Sequence, residues 1–364
     1  MRAIRYYDKR DIRVEEAAPP TGELAPNELL VAPRLCGICG TDLHEYVAGP
    51  IVTPVEPHPL TAATLPQTLG HEFSAEVVDV GSGVTNVRAD DRVSLMPLIY
   101  CGRCYFCRRG LNHLCEVMGC LGLSSPWGGM ADLAVVKDYQ VSLLPDNVTY
   151  EQGALIEPTA VAAYGVECGG VRPGDAVLIT GAGPIGALAV LAATAAGASR
   201  VFVSEPNKQR ARLASELGAA EVFDPAAGDP AAQIVDLTDG LGVDVAIECV
   251  GNGDALDACV RATRRAGVVV QTGLHVGTAT VNPMQWALKD LTIRGTWCYP
   301  VQSWPRITTQ IAAGTLPVEK IVSACIRLPD AVERGFDQLV KRDNAQVKVL
   351  VDVAGSAIMS KDIQ

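Results

Sequence analysis

The chain has 364 residues, 48% hydrophobic and 20% charged, which is the make-up of a folded globular protein with more chain than one core usually serves. Its formal net charge of -11 and pI near 5.0 exclude a broad affinity for nucleic acid or an anionic membrane surface. Met1–Val14 does not read as a basic-then-apolar leader, no run of about 18 uncharged apolar residues suggests a membrane span, and 12 cysteines without a secretion signal point to the reducing cytoplasm.

Residues 1 to about 158 are rich in short β-like runs (MRAIRYY, ELLVAP, SAEVVDVG, MADLAVV) separated by proline and glycine. This mixture predicts an irregular, mostly antiparallel domain. Within it, LCGICGTDLHEY gathers Cys36, Cys39, Thr41, Asp42 and His44, and LGHEF adds His71 and Glu72. Glu157, in ALIEPTAVAAYGV, stands where this rhythm ends. One thiolate, one imidazole and one carboxylate would give a metal three protein ligands and leave a fourth position for water or substrate. Taken alone, Cys36 and Cys39 also fit a C-x-x-C redox pair.

CGRCYFCRRGLNHLC places Cys101, Cys104, Cys107 and Cys115 at the spacing C-x2-C-x2-C-x7-C. Four thiolates in so short a loop suit one tetrahedral zinc with bonds of about 2.3 Å, and such a set leaves no open position. The loop therefore reads as a structural clasp. Loose buried cysteines are the alternative, and a nucleic-acid-binding finger sits poorly in so acidic a chain.

From Ala176 to about Trp297, apolar runs (VLIT, RVFVSE, EVFD, VDVAIEC, VVVQTG) alternate with Ala-rich amphipathic stretches. Alternation of this kind calls for a parallel sheet covered by helices on both faces. Its first turn is GAGPIG, Gly181 to Gly186, with Pro184 and Ile185 inside it. Gly181 allows a tight turn, Gly183 lets the backbone approach a pyrophosphate, and Gly186 lets helix pack on strand. The helix start offers unpaired N–H groups to that anion. Glu205 closes the next strand, where an acid can bind an adenosine ribose hydroxyl and disfavour a 2′-phosphate, so NAD is expected over NADP. Arg210 either approaches the same ribose or lies on a solvated helix face. Beyond Trp297 the pattern is mixed, with helices expected near Trp304–Ala313 and Ala331–Val340, a closing strand in VKVLVDV, and a loose tail from Gly355.

The segments GICGTDLHEY, GPIVTPVEPHPLT, TLGHEFSAEVV, ALIEPTAVAAYGV and GAGPIG, over nearly the whole chain, resemble the zinc-dependent medium-chain alcohol/polyol dehydrogenase family. GPIVTPVEPHPLT is similar to an insertion of its (R,R)-2,3-butanediol dehydrogenase branch. The resemblance implies an α/β protein with a Rossmann-type, doubly wound parallel-sheet domain at 159–297 that binds NAD. It also implies a mostly β, GroES-like catalytic domain at 1–158 and 298–364, with a structural zinc lobe at 101–115.

The activity so implied is NAD-dependent interconversion of a secondary alcohol or vicinal diol with its ketone, 2,3-butanediol and acetoin above all. Sorbitol- or xylitol-type and broad secondary-alcohol activity remain alternatives, as does a non-catalytic nucleotide- or zinc-binding protein. The family pattern selects Cys39, His71 and Glu157 as ligands of one catalytic zinc, with Glu72 as a neighbour or exchange ligand and Asp42 orienting the histidine. It assigns the four cysteines to a second, structural zinc. Thr41, a nicotinamide ribose hydroxyl and His44 form the implied proton relay. Trp127 is a candidate pocket wall, and the segment VNPMQWALKDLTIRGT resembles the part through which family members form homodimers or homotetramers.

Overall fold

The computed structural model describes residues 1–341 and 343–355; most of the tail expected from Gly355 lies outside them. The described chain forms two compact units. The first comprises Met1–Glu157, Pro300–Ala312 and the chain from Val322; the second comprises Pro158–Tyr299 and Ala313–Ile321. Ala313–Ile321 thus packs with the second unit, although the expected boundary after residue 297 kept it with the first. The reason is local: the turn Val318–Ile321 packs on the helix Pro184–Ala195 of that unit. No helix among the described residues is long and apolar enough to cross a membrane.

The first unit is organised around the strand Glu28–Gly37, whose residues alternate between buried and half-buried. It pairs antiparallel with Glu72–Val80, Ala134–Lys137 and Lys348–Asp352. Register matters most at its carboxyl end. Gly37 faces Glu72 on one side and Leu350 on the other, and Ile38 N–H donates to the Val349 carbonyl at 3.0 Å. Three segments far apart in the sequence therefore meet at one sheet corner. Ile4, Leu29, Val31, Phe73, Val93, Ile326 and Val351 fill the core beneath. The closing strand pairs in parallel with Val322–Arg327, so a single C-terminal run completes this sheet.

Directly after that corner the helix Gly40–Ala48 begins, with Cys39 as its N-cap. Asp42 accepts from Cys39 N–H at 2.9 Å, satisfying a donor that the helix start leaves open. At the other end of the helix, buried Glu45 accepts from Ile51 N–H at 3.0 Å and from the Thr53 hydroxyl at 2.6 Å. That carboxylate holds the entry of GPIVTPVEPHPLT. His58 Nε2 reaches the Met118 carbonyl at 3.2 Å, and Thr61 donates to the Ser124 carbonyl at 2.6 Å, tying the exit down. Ile51 and Val55 between these anchors are exposed.

The second unit is a six-stranded, all-parallel sheet. Its spatial order is Glu221–Phe223, Arg200–Ser204, Ala176–Thr180, Val243–Glu248, Thr263–Gln271 and Thr292–Gly295. The chain reverses its direction of growth at Ala176–Thr180, the position where such sheets open a crevice at their carboxyl ends. Every residue of that strand is buried, as expected with helices on both faces.

Candidate functional site

In the first unit, the sheet corner and the start of the helix bring Cys39, His71 and Glu72 together. One ligand-capable atom of each lies within 4.8 Å of the others. Cys39 arrives from the helix cap; His71 and Glu72 arrive together at the start of the strand Glu72–Val80. Glu157, expected in the ligand set, is not part of this group. It is buried at the first turn of the helix Ile156–Gly169, from where its charge acts on Cys120 and Lys348. Among the described residues, the carboxylate grouped with Cys39 and His71 is that of Glu72, expected as a neighbour or exchange ligand.

The surroundings suit a cation. Asp42 and Glu72 are both buried at this group, and the Glu72 charge acts on the Cys39 thiol. One oxygen of Glu72, Oε1, is buried without a hydrogen-bond partner. Burial works against charging His71, yet the Asp42 carboxylate and Cys39 hold its pKa well above the ordinary imidazole value. His71 Nδ1 stands 3.5 Å from Asp42 Oδ1, so that ring edge faces an acid and Nε2 is left for a metal. A soft thiolate, an imidazole and a carboxylate are the donors that zinc takes when one position must stay open. The residues present fit the ion.

Thr41 and His44 lie three residues apart on the same helix and so share a face. The Thr41 hydroxyl is 3.8 Å from the Cys39 sulfur. Cys36 is fully buried in the apolar core, and burial pushes its thiol well above the usual range. Its place there is that of a small core filler. Trp127 packs partly buried against the same core.

The four cysteines of the lobe also converge, with their sulfurs within 4.8 Å of one another. Backbone N–H groups are aimed at them: Cys104 N–H donates to Cys101 Sγ at 3.3 Å, and Cys107 N–H to Cys104 Sγ at 3.4 Å. The Cys107 N–H is the main cause that lowers the Cys104 thiol to about 6, whereas burial raises Cys107 to about 12. Four thiolates side by side need a cation, and a tetrahedral zinc matches both their number and their softness.

In the second unit the glycine loop has the geometry its sequence demands. Gly181 has φ +82°, and a Cβ on Gly186 would lie 1.8 Å from the Gly181 carbonyl oxygen. A Cβ on Gly183 would meet nothing within 4 Å, so no protein contact requires glycine there. An approaching ligand would. Gly183 caps the helix Pro184–Ala195, whose Pro184 occupies the first turn, where a missing N–H costs nothing. Ile185 follows in that turn.

Glu205 is buried and already engaged. Its Oε2 accepts from Ala182 N–H at 2.7 Å and its Oε1 from Asn207 N–H at 2.8 Å. The acid expected to meet a ribose thus also braces the glycine loop. Arg210 lies in the first turn of the helix Lys208–Glu216, half-buried.

Two residues of these sites, Glu248 and Lys348, carry no motif in the sequence, and a third, Gly37, opens GICGTDLHEY without any role assigned to it. Glu248, at the carboxyl end of Val243–Glu248, accepts from Val250 and Gly251 N–H at 2.6 and 2.7 Å and stands 3.3 Å from His275 Nε2. An acid closing an apolar run is its only signal. Gly37 and Lys348 flank Glu72, a contact that neither the motif around Gly37 nor the run around Lys348 announces.

Comparison with known proteins agrees with this fold. Residues 25–146 match the family described as "Alcohol dehydrogenase GroES-like domain", and residues 184–313 match "Zinc-binding dehydrogenase". The chain is 39% identical over 352 residues to the (R,R)-butanediol dehydrogenase of Bacillus subtilis, covering 96% of this chain and 99% of that one. A crystal structure of 2R,3R-butanediol dehydrogenase from Bacillus subtilis superposes with a TM-score of 0.90, again over 96% and 99% of the two chains. A zinc-binding dehydrogenase structure from Sinorhizobium meliloti, bound to NADP, is 33% identical with a TM-score of 0.87, over 96% and 98%.

Proposed function

The chain belongs to the zinc-dependent medium-chain alcohol dehydrogenase family and is an oxidoreductase, and from that premise we propose that it interconverts 2,3-butanediol and acetoin with NAD. The convergence of Cys39, His71 and Glu72 carries this reading. These three residues would hold the catalytic zinc, and Cys101, Cys104, Cys107 and Cys115 a structural one. Bound zinc supplies Lewis acidity to a hydroxyl oxygen, and the nicotinamide supplies a hydride acceptor.

The chain's own groups do the rest. Asp42 holds the His71 ring in one orientation. The Thr41 hydroxyl can accept the substrate's proton while donating its own. His44, on the same helix face, is an imidazole that can take up that proton and pass it to solvent. The glycine loop and the start of Pro184–Ala195 bind the pyrophosphate. Glu205 favours the free ribose hydroxyl of NAD over a 2′-phosphate, with Arg210 beside it.

The test is a panel of stereochemically pure 2,3-butanediols, acetoin, sorbitol and xylitol, with NAD and NADP, run beside metal analysis. A preference for sorbitol would overturn the substrate, and no alcohol-dependent NADH formation in zinc-replete protein would overturn the enzyme. For Glu205→Ala, the ratio of kcat/KM for NAD over NADP is expected to fall by at least about tenfold, or 1.4 kcal/mol. KM for NAD should rise too, because the Ala182 N–H loses its acceptor. An unchanged ratio would count against Glu205 as the discriminator.

We further propose a homo-oligomer in the cytoplasm. Among the described residues no cysteine is paired in a disulfide, as a reducing compartment would leave them. The helix Pro283–Lys289 buries none of its residues, and Val276, Val281, Met284, Leu288 and Trp297 are exposed around the edge strand Thr292–Gly295. Apolar groups beside an open edge are what a second copy would cover. Met284→Asp with Leu288→Asp should therefore yield monomers by light scattering, and an oligomer of unchanged mass would refute the surface.

A further inference from the structure

We propose, building on the metal reading above, that Lys348 is the positioning residue of the catalytic centre: it fixes Glu72 so that one carboxylate oxygen is occupied and the other is kept for the metal. Lys348 is 1% exposed, and among the described residues no other lysine or arginine is as buried. Its Nζ donates to Glu72 Oε2 at 2.6 Å and to the Ile38 carbonyl at 3.1 Å. Glu72 is 0% exposed, and its other oxygen, Oε1, has no hydrogen-bond partner.

The backbone closes the seat from the far side. Gly37 is the cross-strand partner of Glu72, and a Cβ on Gly37 would lie 2.1 Å from Oε2. Only a residue without a side chain lets the carboxylate lie flat against that strand. The closing strand, paired with Gly37 through Leu350, sets the backbone from which Lys348 reaches in.

Stability alone does not account for this arrangement. Desolvating an ammonium and a carboxylate costs several kcal/mol each, and apolar residues of similar volume often serve as well or better. An arrangement selected for stability would also satisfy both carboxylate oxygens. Here Oε1 is left over, on a carboxylate that groups with Cys39 and His71. Occupying Oε2 stops the carboxylate from turning away and aims the remaining lone pairs at the ion.

The sign of the expected effect discriminates. By electrostatics alone, removing a cation beside a metal site should tighten metal binding. By positioning, removing the group that orients a ligand should weaken it by about 10–100-fold. Lys348→Met in the full chain is therefore expected to lower zinc affinity at this site by about 10–100-fold in chelator competition and to change the visible spectrum of the cobalt-substituted site. The four-cysteine site should bind as before. Lys348→Arg, which keeps a donor, should recover most of the loss.

In a Glu72→Ala background, Lys348→Met should add little, because the lysine acts through that carboxylate. A merely structural lysine would cost the same in both backgrounds and leave the saturated cobalt spectrum unchanged. Should Lys348→Met fold poorly, Gly37→Ala tests the same seat from the other side and should produce the same spectral change. Zinc affinity that is unchanged or increased in Lys348→Met, or equal losses in the two backgrounds, overturns the proposal. If the unaltered protein binds only the four-cysteine zinc, the metal reading itself has failed, and that result is distinct.

Discussion

His71→Ala is expected to leave the protein with one zinc ion per chain and to lower turnover by about a thousandfold or more. Lewis-acid activation of a hydroxyl contributes several kcal/mol, and about 4 kcal/mol corresponds to a factor of a thousand. The fold should survive. Asp42 keeps its bond to the Cys39 N–H, so only part of its buried charge loses a partner, at a cost of about 1–3 kcal/mol. That is below the 5–15 kcal/mol or so by which domains are usually stable. Metal analysis, circular dichroism and alcohol-dependent NADH formation on one preparation check all three statements. A chelator should act in the same order on the unaltered protein, taking the ion with an open coordination position before the one enclosed by four thiolates. Activity that follows the four-cysteine zinc instead would reverse the two assignments.

Cys107→Ala should have the opposite profile, with a large effect on stability and a smaller one on chemistry. Cys107 is one of the two buried members, with Cys115, of the group that would share the ion, and the lobe contains only the single turns Cys107–Arg109 and Asn112–Leu114. Structural zinc contributes about 10–16 kcal/mol of apparent binding energy in small peptide sites, more than so short a loop can replace by packing. Loss of this ion is expected to expose residues 101–115 to limited proteolysis and to lower the melting temperature, while turnover falls by no more than about tenfold. The Cys39, His71 and Glu72 site should keep its metal. Zinc content equal to that of the unaltered protein would show that the four sulfurs do not hold an ion.

Much of this architecture is legible in the amino-acid sequence, and particular residues show why. The glycine loop and the four-cysteine lobe are set by short-range geometry. A Cβ at Gly186 clashes with a carbonyl five residues away, and four sulfurs close on one another within a single loop. The alternation of apolar runs and Ala-rich stretches likewise announces a parallel sheet, because burial on both faces leaves that pattern in each strand. Glu205 is legible as an acid at a strand end. Its brace on Ala182 is not, since a backbone N–H leaves no mark in the sequence.

The amino-acid order by itself determined which donors this protein owns and which local turns they occupy: Cys39 at a helix start, His71 beside Glu72, glycines where backbone must meet backbone. Only the tertiary structure shows that Glu72 lies with Cys39 and His71, and that Lys348 donates to it. The physical reason is strand register. Gly37, Glu72 and Lys348 stand next to one another only because three strands pair at one corner, and pairing of that kind depends on the whole sheet instead of on any neighbour in the chain.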